Sequence, residues 1–207
     1  MSERLYSITH GSNAETVADI LRVLFPDART VLDMTYGNGQ FWSPKHPVTV
    51  QVTGLDIDPQ RARDIVGDFR CPDLYEESYD IAIFDPPYQW DMGKGKPSVM
   101  GRRFGTYRSE HEARAAIQQG VRAAWQVSRL GIIVKVQDHI HSQRAIWMSD
   151  WVKDALDVAP FDQVHLARRQ KITDPKWTRQ LSVWRNHATF WIWRKDGAVH
   201  RARRAAS

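Results

Sequence analysis

The feature that most limits what this chain can fold into is the alternation of short apolar strands with helical stretches along most of its length. Residues 30–33 form a short buried strand running into the turn Tyr36-Gly-Asn-Gly39; residues 50–58 form a second strand, and residues 79–84 a third that ends at Asp85-Pro86-Pro87. The spacing of Val17, Ile20, Leu21, Leu24 and Phe25 predicts a helix over 14–25, opened by a capping box of Ser12 and Glu15 and closed by Pro26. Pro59 suits the first turn of a short helix over 60–64. Ala113, Ala116, Ile117, Gly120, Val121, Ala124 and Val127 predict a helix over 109–129, and Ile146, Trp147, Trp151, Ala155 and Leu156 another over 144–158. A β-branched strand is expected over 131–137, and residues 163–169 and 188–194 alternate as an antiparallel pair. The fold class that follows is α/β. It is a doubly wound, mostly parallel sheet of about seven strands with helices on both faces, closed by a C-terminal antiparallel hairpin.

A chain of 207 residues builds one substantial core. The expected organisation is one domain over 1–199, with 200–207 as a basic, disordered tail. No apolar run approaches the roughly 18 residues of a membrane span, and the N-terminus lacks the apolar core of a secretory signal, so a cytoplasmic protein with no membrane partner is expected. Cys71 is the only cysteine, which excludes an internal disulfide and a zinc site made of several thiolates; it reads as a small residue after a strand. His139 and His141 lie two residues apart without a third ligand at suitable spacing, so no metal is expected. The net charge of +5 is unevenly spread: residues 168–207 hold 11 Lys or Arg against 2 acids, a balance of +9, which leaves −4 for residues 1–167. Residues 92–108 add Lys94, Lys96, Arg102, Arg103 and Arg108 with no acid. Such segments suit a polyanionic partner, because each phosphate contact releases condensed counterions.

In a doubly wound sheet, ligands bind outside the carboxyl ends of the strands. The first such end is Asp33-Met-Thr35-Tyr-Gly37-Asn-Gly39, where the glycines let the backbone approach a ligand and the Asp33 carboxylate can meet a cationic or hydroxylic group. Alone, this pattern fits a plain turn equally well. Asp56 arrives roughly 20 residues later, where an acid commonly holds ribose hydroxyls. Pro59 should turn Asp58 away, which makes Asp58 the N-cap of the 60–64 helix. Asp68 stands at another strand end or on the surface.

The remaining end, Ile81-Ala-Ile-Phe84-Asp85-Pro86-Pro87-Tyr88, resembles the amino-methyltransferase family. These S-adenosylmethionine-dependent enzymes methylate adenine N6 or cytosine N4 and carry an Asp/Asn/Ser-Pro-Pro-aromatic motif after a sheet strand. The resemblance spans residues 30–137 and implies a Rossmann-like fold, S-adenosyl-L-methionine as cofactor and a nucleic-acid partner, DNA before RNA. It implies catalytic roles for Asp85, Pro86, Pro87 and Tyr88. Asp33, Thr35, Gly37 and Gly39 are similar to the family's methionine-side motif, Asp56 to its ribose-binding acid and Asp68 to its adenine-contacting acid. Thr9, His10 and Ser12 occupy the place of an N-terminal cofactor-contacting segment by position alone, and His10 is carried as a cofactor candidate. The leading expectation is a DNA adenine-N6 methyltransferase. Cytosine N4 and ribosomal-RNA guanine N2 or adenine N6 remain alternatives, as does a non-catalytic nucleic-acid-binding relative.

The chemistry of the tetrapeptide stands without the family. An exocyclic base amine is a poor nucleophile because its lone pair is delocalised into the ring. Asp85 and the Pro86 carbonyl can each accept an N–H, localising that pair and stabilising the positive charge that develops on attack. Successive prolines hold the backbone rigid, and Tyr88 offers a face on which a flipped base can stack. Phosphate and base contacts are expected from Lys94, Lys96, Arg102 and Arg103 in a glycine-rich loop after the motif, and from Lys171, Lys176, Trp177, Arg179 and Arg185 between the last two strands. Trp191 and Trp193 read as structural, while Trp177 and Trp184 stay open between packing and stacking.

Overall fold

A computed structural model describes residues 4–88, 90, 107–141, 144–167 and 187–195. Among these residues the helices are α1 (Asn13–Leu24), α2 (Glu110–Val127) and α3 (Met148–Lys153). The strands are β1 (Ile8–Thr9), β2 (Thr30–Asp33), β3 (Gln51–Asp56), β4 (Ile65–Val66), β5 (Tyr79–Phe84), β6 (Ser128–Val136), β7 (His139–His141), β8 (Arg144–Ile146), β9 (Asp162–Ala167) and β10 (His187–Arg194). The Ser12 hydroxyl accepts the Glu15 N–H at 3.1 Å, and the Glu15 carboxylate accepts the Ser12 N–H at 3.4 Å, so the capping box forms as its spacing demands.

Eight strands make one sheet in the order β1-β9-β10-β6-β5-β2-β3-β4. β2 pairs parallel with β3 on one side and with β5 on the other, and β5 pairs parallel with β6. The chain therefore reverses its direction of travel across the sheet between β2 and β5. β10 is antiparallel to both β6 and β9, which realises the expected C-terminal strand pair, and β7 with β8 forms a separate antiparallel hairpin.

The central strands are buried on both faces, as a parallel sheet requires. Val31, Ile81, Ile83 and Ile133 pack under Val17, Ile20 and Leu21 of α1. Leu32, Ala82, Phe84, Ile132 and Val134 face the other way, against Ala113, Ile117, Val121 and Ala124 of α2 and Met148 and Val152 of α3. Adjacent residues of one strand thus belong to opposite cores, each large aliphatic contributing about 1.5–3 kcal/mol by leaving water. At the edge where β2 and β5 begin, Asp80 accepts N–H bonds from Arg29 at 2.6 Å and Thr30 at 3.1 Å and pairs with Arg129. Burial opposes its ionisation, but those donors prevail and hold the Asp80 carboxyl below its usual range.

Several expectations are corrected. Residues 60–64 form a turn, because Arg61 and Ala62 both donate to the Asp58 carbonyl and the Asp64 carboxylate is drawn to the Gly54 N–H at 2.8 Å. The connections over 34–50 and 57–78 carry no helix, so strand–helix alternation is weaker than the sequence pattern implies. The predicted helix over 144–158 divides into β8 and the short α3, since Arg144, Ala145 and Ile146 find ladder partners in His141, Ile140 and His139. Two-residue strands at the sheet edges, β1 and β4, bring the count to eight.

Lys94, Lys96, Arg102, Arg103, Lys171, Lys176, Trp177, Arg179, Trp184, Arg185 and the 200–207 tail lie outside the described residues. No helix among the described residues is long and apolar enough to cross a membrane. Gly120 marks the closest approach of α2 to the sheet: a Cβ there would collide with Phe84 Cζ and sit 2.8 Å from Phe69 Cδ2. Gly120→Ala should lower unfolding stability by about 1–3 kcal/mol, read from the urea midpoint, because the Phe84 ring is fully enclosed and has no room to retreat.

Candidate active site

All the parallel strands deliver their carboxyl ends to one edge, and the reversal between β2 and β5 makes that edge the topological switch point, where sheets of this kind bind ligands in a crevice. Asp33 is the last residue of β2, Asp56 the last of β3, Asp85 the first after β5, and Lys135 the penultimate residue of β6. Sequence-distant charged groups meet because the strands pair in register, Asp33 opposite Ile83 and Phe84 opposite Val134.

Asp33 is fully buried. One carboxylate oxygen accepts the Thr35 N–H at 3.2 Å, and the other accepts Trp42 Nε1–H at 2.8 Å. Burial nevertheless dominates and pushes its pKa up to about 7, with the neighbouring Asp85 and Asp56 adding to the rise against those two hydrogen bonds. The following turn is left-handed at Gly37 (φ 55°) and Gly39 (φ 64°), a conformation that a side chain would strain. Gly37 donates its N–H to Asp56 Oδ2 at 2.8 Å, while Asp56 Oδ1 accepts the Asp58 N–H at 2.9 Å. Tyr36 lies over Gly54, where a Cβ would come within 2.5 Å of its ring. The β2 turn and the end of β3 are thus fastened into one unit.

The second half of the site is the tetrapeptide. Asp85 donates its N–H to Thr35 Oγ1 at 2.9 Å, so Thr35 contacts Asp33 through its backbone and Asp85 through its side chain. Asp85 Oδ1 accepts the Tyr88 hydroxyl, and Asp85 Oδ2 accepts Lys135 Nζ at 2.5 Å. Pro86 is buried, and Pro87 and Tyr88 are half-buried. Lys135 is buried too, with Nζ 5.6 Å from the Phe41 ring centre and 5.9 Å from that of Tyr88.

The structure therefore brings Asp33, Thr35, Gly37, Gly39, Asp56, Asp85, Pro86, Pro87 and Tyr88 to one edge. Asp68 follows β4 by two residues, and its carboxylate is engaged by the Arg70 side chain at 2.5 Å and the Arg70 N–H at 2.8 Å. The Arg70 contact holds it below the usual carboxylate range. His10 is exposed after edge strand β1, with four strands between β1 and β2. Asp58 accepts the Gln60 N–H at 2.9 Å, capping a turn in place of the expected helix. His139 and His141 pack their rings near Trp90, with centroids 5.5 and 4.7 Å away. Trp193 is buried in the core with Nε1–H on the Val158 carbonyl, and Trp191 packs beside that core.

Two residues were missed by sequence reasoning. Trp42 sits in a connection with no periodic pattern, and nothing local marks it. Lys135 carried a signal: it is the one charge in the apolar run Ile132-Ile-Val-Lys-Val136, and a cation in a buried strand needs a partner.

In sequence, no protein-family model and no curated protein matches the chain. Solved structures match it in fold. A candidate rRNA-methylase from Clostridium thermocellum is 16% identical with a TM-score of 0.51, covering 90% of this chain and 99% of that one. The PH0226 protein of Pyrococcus horikoshii is 12% identical with a TM-score of 0.51, covering 87% of this chain and 88% of that one. A 1,6-didemethyltoxoflavin-N1-methyltransferase from Burkholderia thailandensis, bound to S-adenosylhomocysteine, is 15% identical over 88% and 78% with a TM-score of 0.47. The fold is that of the Rossmann-like methyltransferases.

Asp33 gives a pH prediction. Its folded pKa lies above the ordinary 3.8, so the fold holds a proton that the unfolded chain releases. That contribution is complete below about pH 4 and is lost as pH rises through about 7. The stability of Asp33→Asn relative to the parent should rise by on the order of 1–4 kcal/mol as pH increases from about 4 to 7, and stay level above that. Parallel urea-unfolding profiles for the two proteins would contradict it.

Proposed function

We propose that this protein is an S-adenosylmethionine-dependent methyltransferase acting on an exocyclic amino group of a nucleic-acid base, foremost adenine N6 in DNA. The observation that carries the reading is the Asp85 carboxylate, set at the switch-point crevice one strand away from the buried Asp33 and beside the aromatic ring of Tyr88.

The donor set fits the cofactor. A fully buried carboxylate with a raised pKa is suited to an ammonium group, which would restore its ionised form. Gly37 and Gly39 keep side chains off the turn beside it, and Asp56 at the neighbouring strand end is an acceptor pair suited to ribose hydroxyls. Asp68, two residues beyond β4, is proposed as an outer contact; His10, five strand spacings from β2 at roughly 24 Å, is too far to join it. When bound, S-adenosylmethionine supplies a methyl group on a positively charged sulfur, already activated for transfer.

The protein's own work is then to bind, orient and desolvate. Asp85 Oδ1 and the Pro86 carbonyl each accept one N–H of the base amine, drawing its lone pair out of ring conjugation and stabilising the charge that develops on nitrogen. Tyr88 stacks on the extruded base. No protein nucleophile is needed, because alignment of two bound partners supplies the acceleration. Residues 92–108 and 168–207, rich in Lys and Arg, support a polyanionic substrate. Within them Lys94, Lys96, Arg102, Arg103, Lys171, Lys176, Arg179 and Arg185 are proposed as phosphate contacts and Trp177 as a stacking residue. Asp at the first motif position with Tyr at the fourth favours adenine, although the same acceptors would serve cytosine N4 or guanine N2.

The test is to incubate the protein with labelled S-adenosylmethionine and separate DNA and RNA pools, digest to nucleosides and identify the modified base by mass. N6-methyladenine from DNA is expected; label only in RNA, or on another base, replaces the substrate, and no label in either pool sinks the reading. Asp85→Ala should lower turnover by about 100-fold or more while S-adenosylmethionine binding persists. A variant working at the parental rate would contradict the role given to Asp85.

A further inference from the structure

We propose that Lys135 is a positioning residue for amine recognition. It holds Asp85 Oδ2 so that Oδ1 alone is presented to the substrate N–H. The inference rests on the amino-methyltransferase reading given above and assigns a part of that site which the tetrapeptide does not contain.

The geometry is specific. Lys135 stands near the end of β6, a nine-residue strand buried at six successive positions from Gly131 to Val136, so its backbone is held by a strand rather than a loop. Its ammonium is buried, and burial of a cation costs several kcal/mol unless a partner offsets it. That partner is Asp85, at 2.5 Å, with the rings of Phe41 and Tyr88 alongside. Only the Asp85 side of this pair opens to the crevice: its side chain is 23% exposed, against 4% for Lys135. A base amine arriving from solvent therefore meets the carboxylate and not the ammonium.

Both oxygens of Asp85 are engaged, one by a residue of its own loop and one by a residue of a neighbouring strand. Tyr88 Oη on Oδ1 belongs to the tetrapeptide itself and is three residues along the same loop. Lys135 on Oδ2 belongs to a neighbouring buried strand and also reaches Tyr88 Oη at 3.4 Å, and Thr35 Oγ1, in the turn after β2, takes the Asp85 backbone N–H. An incoming N–H can displace the Tyr88 hydroxyl and leave its ring free to stack, whereas Lys135 retains Oδ2 and Thr35 holds the Asp85 backbone in place. Lys135 also offsets negative charge where Asp33 and Asp85 face each other, a repulsion that contributes to the high Asp33 pKa.

The test uses the full chain, labelled S-adenosylmethionine and a mixed-sequence DNA duplex. Lys135→Met keeps the stem and removes the charge; it should lower kcat by about 10–100-fold with KM for DNA and S-adenosylmethionine affinity changed less than about threefold. In an Asp85→Asn background the same substitution should cost nothing further, because the group it positions is already lost. Equal losses in both backgrounds, or a wild-type kcat in Lys135→Met, would overturn the proposal while leaving the methyltransferase reading intact. A wild-type protein that labels no nucleic acid overturns both. If Lys135→Met does not fold, Lys135→Gln is put through the same cycle, and a loss of affinity for both ligands without a kcat effect also counts against the proposal.

Discussion

Three carboxylates, Asp33, Asp56 and Asp85, are forced onto one edge of the sheet by the parallel pairing of β2, β3 and β5, and the site is organised around keeping them there. Like charges in a partly desolvated crevice repel, and the structure answers in three ways. Asp56 is given two backbone N–H donors, from Gly37 and Asp58. Asp85 is given the buried ammonium of Lys135. Among the described residues Asp33 has neutral donors alone, Trp42 and Thr35, and is driven towards its protonated form near neutral pH. The least satisfied of the three is therefore the one most receptive to a cationic ligand.

This distribution also connects the two halves of the site. Thr35 donates to Asp33 through its backbone and accepts from the Asp85 backbone through its hydroxyl, so one residue links the buried carboxylate to the start of the tetrapeptide. The glycine turn and the Asp-Pro-Pro-Tyr segment, read separately in the sequence, act as one assembly. Its supports come from strands buried on both faces, where a small displacement meets close-packed neighbours on either side.

Much of this was legible in the sequence because the strands and their ends are local features. Thr30–Asp33 and Tyr79–Phe84 have the expected bounds, and the Ser12–Glu15 capping box fixes where α1 begins. What was illegible is non-local. Residues 144–146 carry a helical apolar spacing, yet pairing with His139–His141 takes them into a hairpin, tertiary contact overriding a weak propensity. Pro59 suits a helix start but equally a turn, and the pull of Asp64 on the Gly54 N–H decides for the turn. Trp42 reaches Asp33 from a loop without pattern, and Lys135 announced itself only as a cation in an apolar strand, with no indication of its partner.

We propose that Asp33 is the cation-binding end of a methyl-donor site, ionised when that donor is present. This role is tested most directly by titrating S-adenosylmethionine into the protein calorimetrically in two buffers of different ionisation enthalpy. At about pH 6 binding should release close to one proton, the release should fade by about pH 8, and both affinity and proton release should drop in Asp33→Asn. Binding with no proton exchange at the lower pH, or equally tight binding to the variant, would contradict the account.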